Sequence, residues 1–600
     1  MGERIMVKQD WPATATSRRT VLAGAGAALA GSVAGAGVAG EARAQQPAAP
    51  GLAVRGGGSR PPNLLFIFTD QERYAARWPA GLSLPGHERL ARAGVTFHAH
   101  YCPAVMCTSS RAVLMTGLQT PDNRMFENTN APWVAPLSPD IRTIGHMLRA
   151  AGYYTAYKGK WHLSGAFDVA EPDRVFNREM EENGFADFNG VGDIIGHQLG
   201  GYHFDHLIAG SAVTWLRRHG RVLEDEGRPW ALFVSLVNPH DVMYFNTDAP
   251  GQSVQDSSTL ISRPQRAPDH PLYRATWDTP VPPTLHEPFD APGRPPAHGE
   301  FQRMWDVVLG HIPREPERWR RFHDYYVNCI RNVDNSLAGM LGELDALRLT
   351  DRTAVVFTSD HGEMAGAHGL HGKGPFAYEE STHLPLYVTH PDVRGGQDCQ
   401  ALSGHIDLVP TLLGMAGVAP GRVAELARRP LPGKDLTPLL ASPGAAGVNA
   451  LRESVLFTYS GLGTNDASLW QAIAAARAAG RDPREALRQQ GFQPDLTKRG
   501  SLRTVFDGRY KFTRYFSPMH RNRPTTLDEL YRWNDVELFD LASDPGEVRN
   551  LAADRAANGA LIAAMSAKLE RAISAEIGRD DGREMPDFPR ITWSLDRADL

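Results

Sequence analysis

Several points in this chain set ionisable residues directly after an apolar run, and one sets a cysteine where a helix begins. Asp70-Gln71 follows Asn63-Leu64-Leu65-Phe66-Ile67-Phe68-Thr69, and Lys160-Trp161-His162 follows Tyr153-Tyr154-Thr155-Ala156-Tyr157. His240 follows Ala231-Leu232-Phe233-Val234-Ser235-Leu236-Val237, and Asp360-His361 follows Thr353-Ala354-Val355-Val356-Phe357-Thr358. Cys107-Thr108-Ser109-Ser110-Arg111 stands before Ala112-Val113-Leu114-Met115-Thr116-Gly117. A thiol at a helix start feels the positive end of the helix dipole, and Arg111 one turn on would lower its pKa further. The free amides of that first turn suit an anion such as sulfate or phosphate. The same five residues also read as a buried helix cap, and the segment alone leaves both readings open.

Apolar runs bounded by turn residues read as strands buried on both faces of a parallel sheet. Helical patterns lie between them: residues 144–151, ending at Gly152, and residues 325–347, feeding the last strand. The alternation predicts an α/β fold, a large mixed and mostly parallel sheet flanked by helices. In such sheets ligands gather outside the carboxyl ends of the strands, so these polar residues are expected on one rim. Residues 243–320, rich in Pro, His and Asp with weak periodicity, read as a long irregular, variable insertion, either a lid that shapes a substrate pocket or surface decoration. Beyond residue 416 the rhythm fades. Residues 502–506 and 510–513 read as a hairpin, 537–541 as a short strand and 556–577 as a helix. Together they predict a smaller C-terminal α+β subdomain over 441–600, beside a catalytic domain over 61–440.

Composition narrows the partners. A chain of 600 residues, 42% hydrophobic and 22% charged, is globular, and a net charge of −5 gives no electrostatic footprint for nucleic acid. Four cysteines are too few for a disulfide-built scaffold, although one pair could bridge. Ser17-Arg18-Arg19-Thr20-Val21-Leu22, an Ala/Gly/Val run to about Gly40, and Ala42-Arg43-Ala44 follow the order of a twin-arginine export signal over residues 1–44. The run is Gly-rich and weakly apolar, so a stable membrane anchor is not expected. Residues 45–60 read as a flexible linker, and a periplasmic or secreted location follows.

The candidate set is then Asp70, Gln71, Asp360 and His361 as oxygen and imidazole ligands, with Arg111, Lys160 and Lys373 as cations. His162 and His240 complete it beside Cys107. Oxygen-rich ligation favours Ca²⁺ or Mg²⁺, and an imidazole tilts the choice toward Mn²⁺ or Zn²⁺. Cations around a tetrahedral oxyanion balance its charge during transfer, and a histidine can protonate the leaving oxygen. The set suits hydrolysis of a sulfate or phosphate ester.

With these residues the chain resembles the type I, formylglycine-dependent sulfatases of the alkaline phosphatase superfamily. The likeness runs in order through Asn63 to Gln71, Cys107 to Gly117, Gly159-Lys160-Trp161-His162-Leu163 and Asn238-Pro239-His240. It continues through Ser359-Asp360-His361-Gly362-Glu363, His371-Gly372-Lys373-Gly374 and His405-Ile406-Asp407. The resemblance implies that Cys107 is oxidised to formylglycine (3-oxoalanine) by a formylglycine-generating enzyme. One hydroxyl of the aldehyde hydrate would attack sulfur and the other would drive sulfate out, an exit that a serine or thiol adduct lacks. It implies Asp70, Gln71, Asp360 and His361 as metal ligands, with Ca²⁺ chosen first and Mn²⁺ or Mg²⁺ as alternatives. Arg111 and Lys160 would support the hydrate and His162 its breakdown. His240, the general acid, and Lys373 would contact the sulfate and leaving oxygen, with Asn128 near the nucleophile.

Two departures stand out. Ser109 replaces the proline of the usual Cys-x-Pro-x-Arg modification signal, and Gln71 replaces a second aspartate. The second resembles the branch holding choline sulfatases and phosphonate monoester hydrolases. The expected activity is sulfate ester hydrolysis, on a small-molecule or sugar sulfate. The alternatives are a phosphonate or phosphate diester hydrolase on the same scaffold, or an inactive anion- or glycan-binding relative.

Overall fold

The computed structural model describes residues 60–586, apart from 132, 169–175, 189, 191, 194–196 and 256–262, and the backbone of 594–595. The expected export signal and nearly all of the linker lie outside the described residues. Eight strands build the main sheet: β1 (Asn63–Asp70), β2 (Val95–Tyr101), β3 (Tyr154–Gly159), β4 (Trp230–Pro239), β5 (Thr353–Ser359), β6 (His383–Thr389), β7 (Gln397–Cys399) and β8 (Ser403–Gly404). Their order is β3-β4-β1-β5-β6-β2-β7, with β8 also on β2. All neighbours are parallel except the two pairs made by β6. The sheet is mixed and mostly parallel, as expected from the sequence.

The period-2 pleat explains why the central strands are apolar throughout. Leu65 and Ile67 of β1 face one layer with Val333, Leu337, Met340, Leu341 and Leu344 of the helix Pro316–Ala346. Leu64, Phe66 and Phe68 face the other layer with Ala112, Leu114 and Met115 of the helix Cys107–Thr116. Each such side chain contributes about 1.5–3 kcal/mol by leaving water. The register sets Phe68 against Thr358 and Thr69 against Ser359, so Asp70 and Asp360 leave the sheet at one level.

A second, antiparallel sheet runs in the order Asp535–Asp540, Tyr510–Phe516, Ser501–Phe506, Val455–Tyr459. The helix Arg555–Glu576 covers it, packing Ile562, Met565, Leu569 and Ile573 on Val505, Phe512 and Leu538. The Thr458 amide donates to Pro103 O at 2.8 Å, beside the approach to Cys107. All described residues belong to one compact unit.

Some local expectations need correcting. The insertion is not irregular throughout: it contains the helix Pro296–Leu309, and the long helix after it starts at Pro316 rather than near 325. Strands β2 and β6 to β8 add to the strands that the sequence predicts. The four cysteines are buried and free, so none bridges. No described helix is long and apolar enough to cross a membrane.

Candidate active site

The strand ends deliver the expected residues to one point. Asp70 ends β1, and its Oδ2 accepts from Lys160 Nζ at 2.6 Å and from the Arg111 guanidinium at 2.8 Å. Asp360, just past β5, accepts from Arg111 Nε on Oδ2 at 2.8 Å, and on Oδ1 from the amides of His361 and Gln71 at 2.9 and 3.1 Å. Ligand atoms of Asp70, Cys107, Asp360 and His361, all buried, lie within 4.8 Å of one another. Burial alone would raise the Asp70 carboxyl, but Lys160, then His240 and Arg111, hold it well below the usual carboxylate range.

The donor set fits a divalent cation. His361 Nδ1 lies 3.0 Å from Gly362 O, a carbonyl that can only accept, so Nδ1 carries the proton and Nε2 turns its lone pair inward. Nε2 then stands 3.6 Å from Asp70 Oδ1 and 3.6 Å from Asp360 Oδ1, too far for a hydrogen bond. A lone pair facing two carboxylate oxygens calls for a positive charge between them. Burial by itself would lower the imidazole, yet Asp360 above all raises its proton affinity, and a metal ion would supply that positive charge instead. Gln71 accepts from Lys373 Nζ on Oε1 at 2.6 Å and donates its amide to Glu363, so its side chain is shared with both.

Cys107 opens the helix Cys107–Thr116, with Sγ 3.1 Å from His361 Nε2 and 3.7 Å from Asp70 Oδ1. Burial and Asp70 push the thiol up, and Lys160, Lys373 and His361 outweigh them, leaving it below its ordinary value. The capping reading of this segment does not hold. The N-cap is Met106, without a side-chain bond, and the hydroxyls reach outward instead. Thr108 Oγ1 donates to His162 O at 2.8 Å and Ser110 Oγ donates to Asp360 O, tying the helix to two other strand ends. Ser109 Oγ is buried without a hydrogen-bond partner.

The remaining predicted residues divide into two groups. Lys160, His162, His240, Lys373 and Asn128 line, with Cys107, a cavity of about 160 Å³. Arg111 does not line it. Its guanidinium also donates to Lys160 O at 2.9 Å and Ser235 Oγ at 2.7 Å, so it clamps four strand ends together. Asn128 Oδ1 accepts from the Thr108 amide at 3.1 Å. Burial foremost, with Lys160 and Arg111, keeps His162 neutral, and neither of its ring nitrogens has a protein partner. Burial likewise leads in holding His240 well below the usual histidine value, with Lys160 and Lys373 adding to it against Asp70. Gln71 (φ 76°) and His162 (φ 58°) both sit in the left-handed region, a backbone cost of order 1–3 kcal/mol each that clusters at functional sites.

Three supporting carboxylates were not read from the sequence. Asp193 accepts from the Trp161 and His162 amides at 2.6 and 2.7 Å, fixing the turn that carries Lys160 and His162. Asp205 accepts from the Val237 and Asn238 amides at 2.6 and 2.8 Å, ahead of His240. Glu363, within a quoted motif but given no role there, accepts from the Ala365 and Gly372 amides at 2.8 and 2.7 Å and so holds the Lys373 loop. Asp193→Ala strands two buried amides at a cost of about 1–3 kcal/mol each. We expect it to lower kcat about 10- to 100-fold with a smaller change in KM, checked by steady-state kinetics beside urea unfolding.

The carboxyl edge of a mostly parallel sheet thus carries a metal-competent cluster beside a cysteine at a helix start. The sulfatase family profile matches residues 62–418, and the chain belongs to that family. It is 28% identical over 395 residues to an uncharacterised sulfatase of Escherichia coli, covering 60% of this chain and 68% of the relative. It is 27% identical over 389 residues to a choline-sulfatase of Rhizobium meliloti, with the same two coverages, 60% and 68%. A solved phosphonate monoester hydrolase from Silicibacter pomeroyi shares the fold at a TM-score of 0.60 and 20% identity, over 86% of this chain and 96% of its own.

Proposed function

We propose that the protein hydrolyses sulfate esters with a nucleophile derived from Cys107 and a divalent metal. The observation that carries this reading is the convergence of Asp70, Cys107, Asp360 and His361 within 4.8 Å, beside the cavity lined by Lys160 and Lys373. Asp70, Asp360 and His361, with Gln71, would hold Ca²⁺, or Mn²⁺ or Mg²⁺, which supplies Lewis acidity toward a sulfate oxygen. Formylglycine at position 107, hydrated by one water, would supply a geminal diol, one hydroxyl for attack and one for sulfate expulsion.

The chain's own groups then do the rest. Lys160 and Lys373 place two positive charges at the cavity floor, where an ester sulfate is oriented and its developing charge balanced. His162, neutral, lining the same cavity and without a protein partner, would accept a proton released at residue 107. His240 donates to the leaving oxygen. Burial keeps it neutral in the free protein, and the negative charge of bound sulfate raises its proton affinity when the leaving group needs a proton. The buried floor excludes bulk water and strengthens each of these interactions.

Gln71 in place of a second acid lowers the negative charge at the metal, and that observation favours the second reading, a phosphonate or phosphate diester hydrolase. Export through a twin-arginine pathway, and a periplasmic or secreted location, belong to the same proposal and are supported by residues 17–44. A formylglycine-generating enzyme would act before export. The test is release of inorganic sulfate from a panel of esters beside matched phosphonate esters. We expect sulfate esters to be preferred, activity to vanish with a chelator, and Ca²⁺ or Mn²⁺ to restore it. Faster turnover of phosphonates selects the second reading. An unmodified, metal-free protein without turnover selects an inactive anion-binding relative.

A further inference from the structure

The loop that delivers Lys373 is a closed excursion whose tip is held by the insertion. It leaves the site after Glu363 and returns at Gly372, where the Met364 amide donates to Gly372 O at 3.1 Å. Within it the Gly366 amide donates to Leu370 O at 2.8 Å. Ala365 (φ 46°) and His368 (φ 53°) both lie in the left-handed region, where residues other than glycine persist only if their surroundings over-determine them. His368, at the tip and 1% exposed, is fixed from three sides. Its amide donates to Thr284 Oγ1 at 2.8 Å, its carbonyl accepts from Arg294 Nη2 at 2.7 Å, and its Nδ1 donates to Glu287 Oε2 at 2.7 Å. All three partners belong to residues 243–320. Arg294 Nη1 also donates to Glu287 O at 3.2 Å, so the two clamping residues hold each other.

From His368 the contacts run into the second sheet and come back. Its ring stacks on Tyr378 with centroids 3.8 Å apart and planes 8° from parallel. Tyr378 Oη and Tyr515 Oη donate to the two oxygens of Glu537 at 3.1 and 2.8 Å. Burial holds His298 well below the usual histidine value, so its ring is neutral and its two nitrogens take opposite roles. Nδ1 accepts from Arg294 Nε at 3.3 Å, which leaves Nε2 to donate to Tyr515 Oη at 2.9 Å. The circuit closes there, because the other end of Arg294 already holds the His368 carbonyl. Buried networks whose members all find partners rigidify the segments they join.

We propose that Glu287 and His368 are positioning residues for Lys373: the insertion latches the tip of the 363–373 loop, and that latch holds the Lys373 ammonium where the oxyanion binds. This rests on the sulfatase reading, in which Lys373 contacts the sulfate. Glu287 stands at the outer end of the latch with its side chain 20% exposed, so its removal spares the buried circuit behind it.

The experiment uses the full-length, metal-loaded protein, a sulfate ester as substrate and inorganic sulfate as competing ligand. Glu287→Ala is expected to raise KM and the sulfate inhibition constant together by about 10-fold, with metal content unchanged. Glu287→Gln keeps an acceptor for His368 and is expected to stay within about 2-fold of the wild type. Thr284→Val removes only the bond to the His368 amide and is expected to act in the direction of Glu287→Ala, which separates a loosened latch from a misfolded variant. In a Lys373→Ala background, adding Glu287→Ala is expected to change neither constant further, because residues that act through one another are not additive. An equal loss in both backgrounds, or a KM that rises without the inhibition constant, overturns the latch while leaving sulfatase activity intact. Hydrogen exchange of the peptide spanning 363–374 covers the case in which no ester turns over. Its amides are expected to exchange about 10-fold faster in Glu287→Ala than in the wild type, with the peptide 455–459 unchanged. Equal exchange also overturns the latch, whereas faster exchange without turnover supports the latch and removes the hydrolytic reading.

Discussion

Cys107→Ala is expected to lose sulfate ester hydrolysis by about 10⁴-fold or more while keeping its fold, because removing a nucleophile disables the groups that act with it. The thiol sits 3.1 Å from His361 Nε2 and 3.7 Å from Asp70 Oδ1, so the residue at 107 is the group at the metal-competent cluster with the chemistry for attack. Its removal deletes one small buried atom and leaves the clamp of Arg111 on Asp70 and Asp360 intact, so a stability change of no more than about 1–2 kcal/mol follows. Cys107→Ser sharpens the point. Its hydroxyl has nearly the size of the thiol but no aldehyde chemistry, and it is expected to be as inactive in steady state as alanine. Initial rates of sulfate release beside a thermal melt separate lost chemistry from lost structure. A serine variant with more than about a tenth of wild-type activity contradicts the formylglycine route.

The second large effect falls on Asp70. This carboxylate takes Lys160 and Arg111 on Oδ2 and turns Oδ1 toward His361 and Cys107, so Asp70→Ala removes a proposed ligand and the partner of two buried cations at once. Arg111 keeps its 2.8 Å bond to Asp360, whereas Lys160 loses its ion-pair partner at 2.6 Å. Breaking a buried pair from one side costs about 3–5 kcal/mol, and stability is expected to fall by that amount in urea even in metal-free protein. Activity is expected to fall about 10³-fold or more, with weaker metal retention measured by elemental analysis after dialysis. Asp70→Asn keeps the volume and one acceptor. It should recover part of the stability and little of the activity, and equal recovery of both contradicts a role in holding metal.

The chemistry at the strand ends was legible in the sequence because long apolar runs fix where a buried parallel strand stops. Asp70, Lys160, His162, His240, Asp360 and His361 all follow such runs, and pleat and register leave them little freedom about which rim they reach. The carboxylates behind them were not legible. Asp193 holds amides 31 and 32 residues away, and nothing in its neighbours marks it. The Lys373–Gln71 contact spans 302 positions, so only the folded sheet brings the two together. Strand β2 mixes His and Thr among its apolar residues, and β7 and β8 have three and two residues, too short for any periodic signal. Helix Pro296–Leu309 was hidden within a segment whose proline content reads as loop, although Pro296 itself stands where the first turn of a helix tolerates it. Trp133, Trp305 and Trp470, which line the cavity, come from separate segments, so their meeting is a tertiary fact.

Ser109 is where sequence and chemistry meet most sharply. It occupies the proline position of the modification signal, and its buried hydroxyl has no partner in the folded protein. The folded protein buries this segment, so an enzyme that oxidised Cys107 would have to meet it before the helix Cys107–Thr116 docks. The most direct test of the account is peptide mass spectrometry across residue 107 in protein purified from its native producer and active on a sulfate ester. Formylglycine at position 107 gives a mass about 18 Da below that of the cysteine peptide, the change from thiol to aldehyde, and that is the expected result. An unmodified Cys107 throughout a preparation that hydrolyses sulfate esters would contradict it.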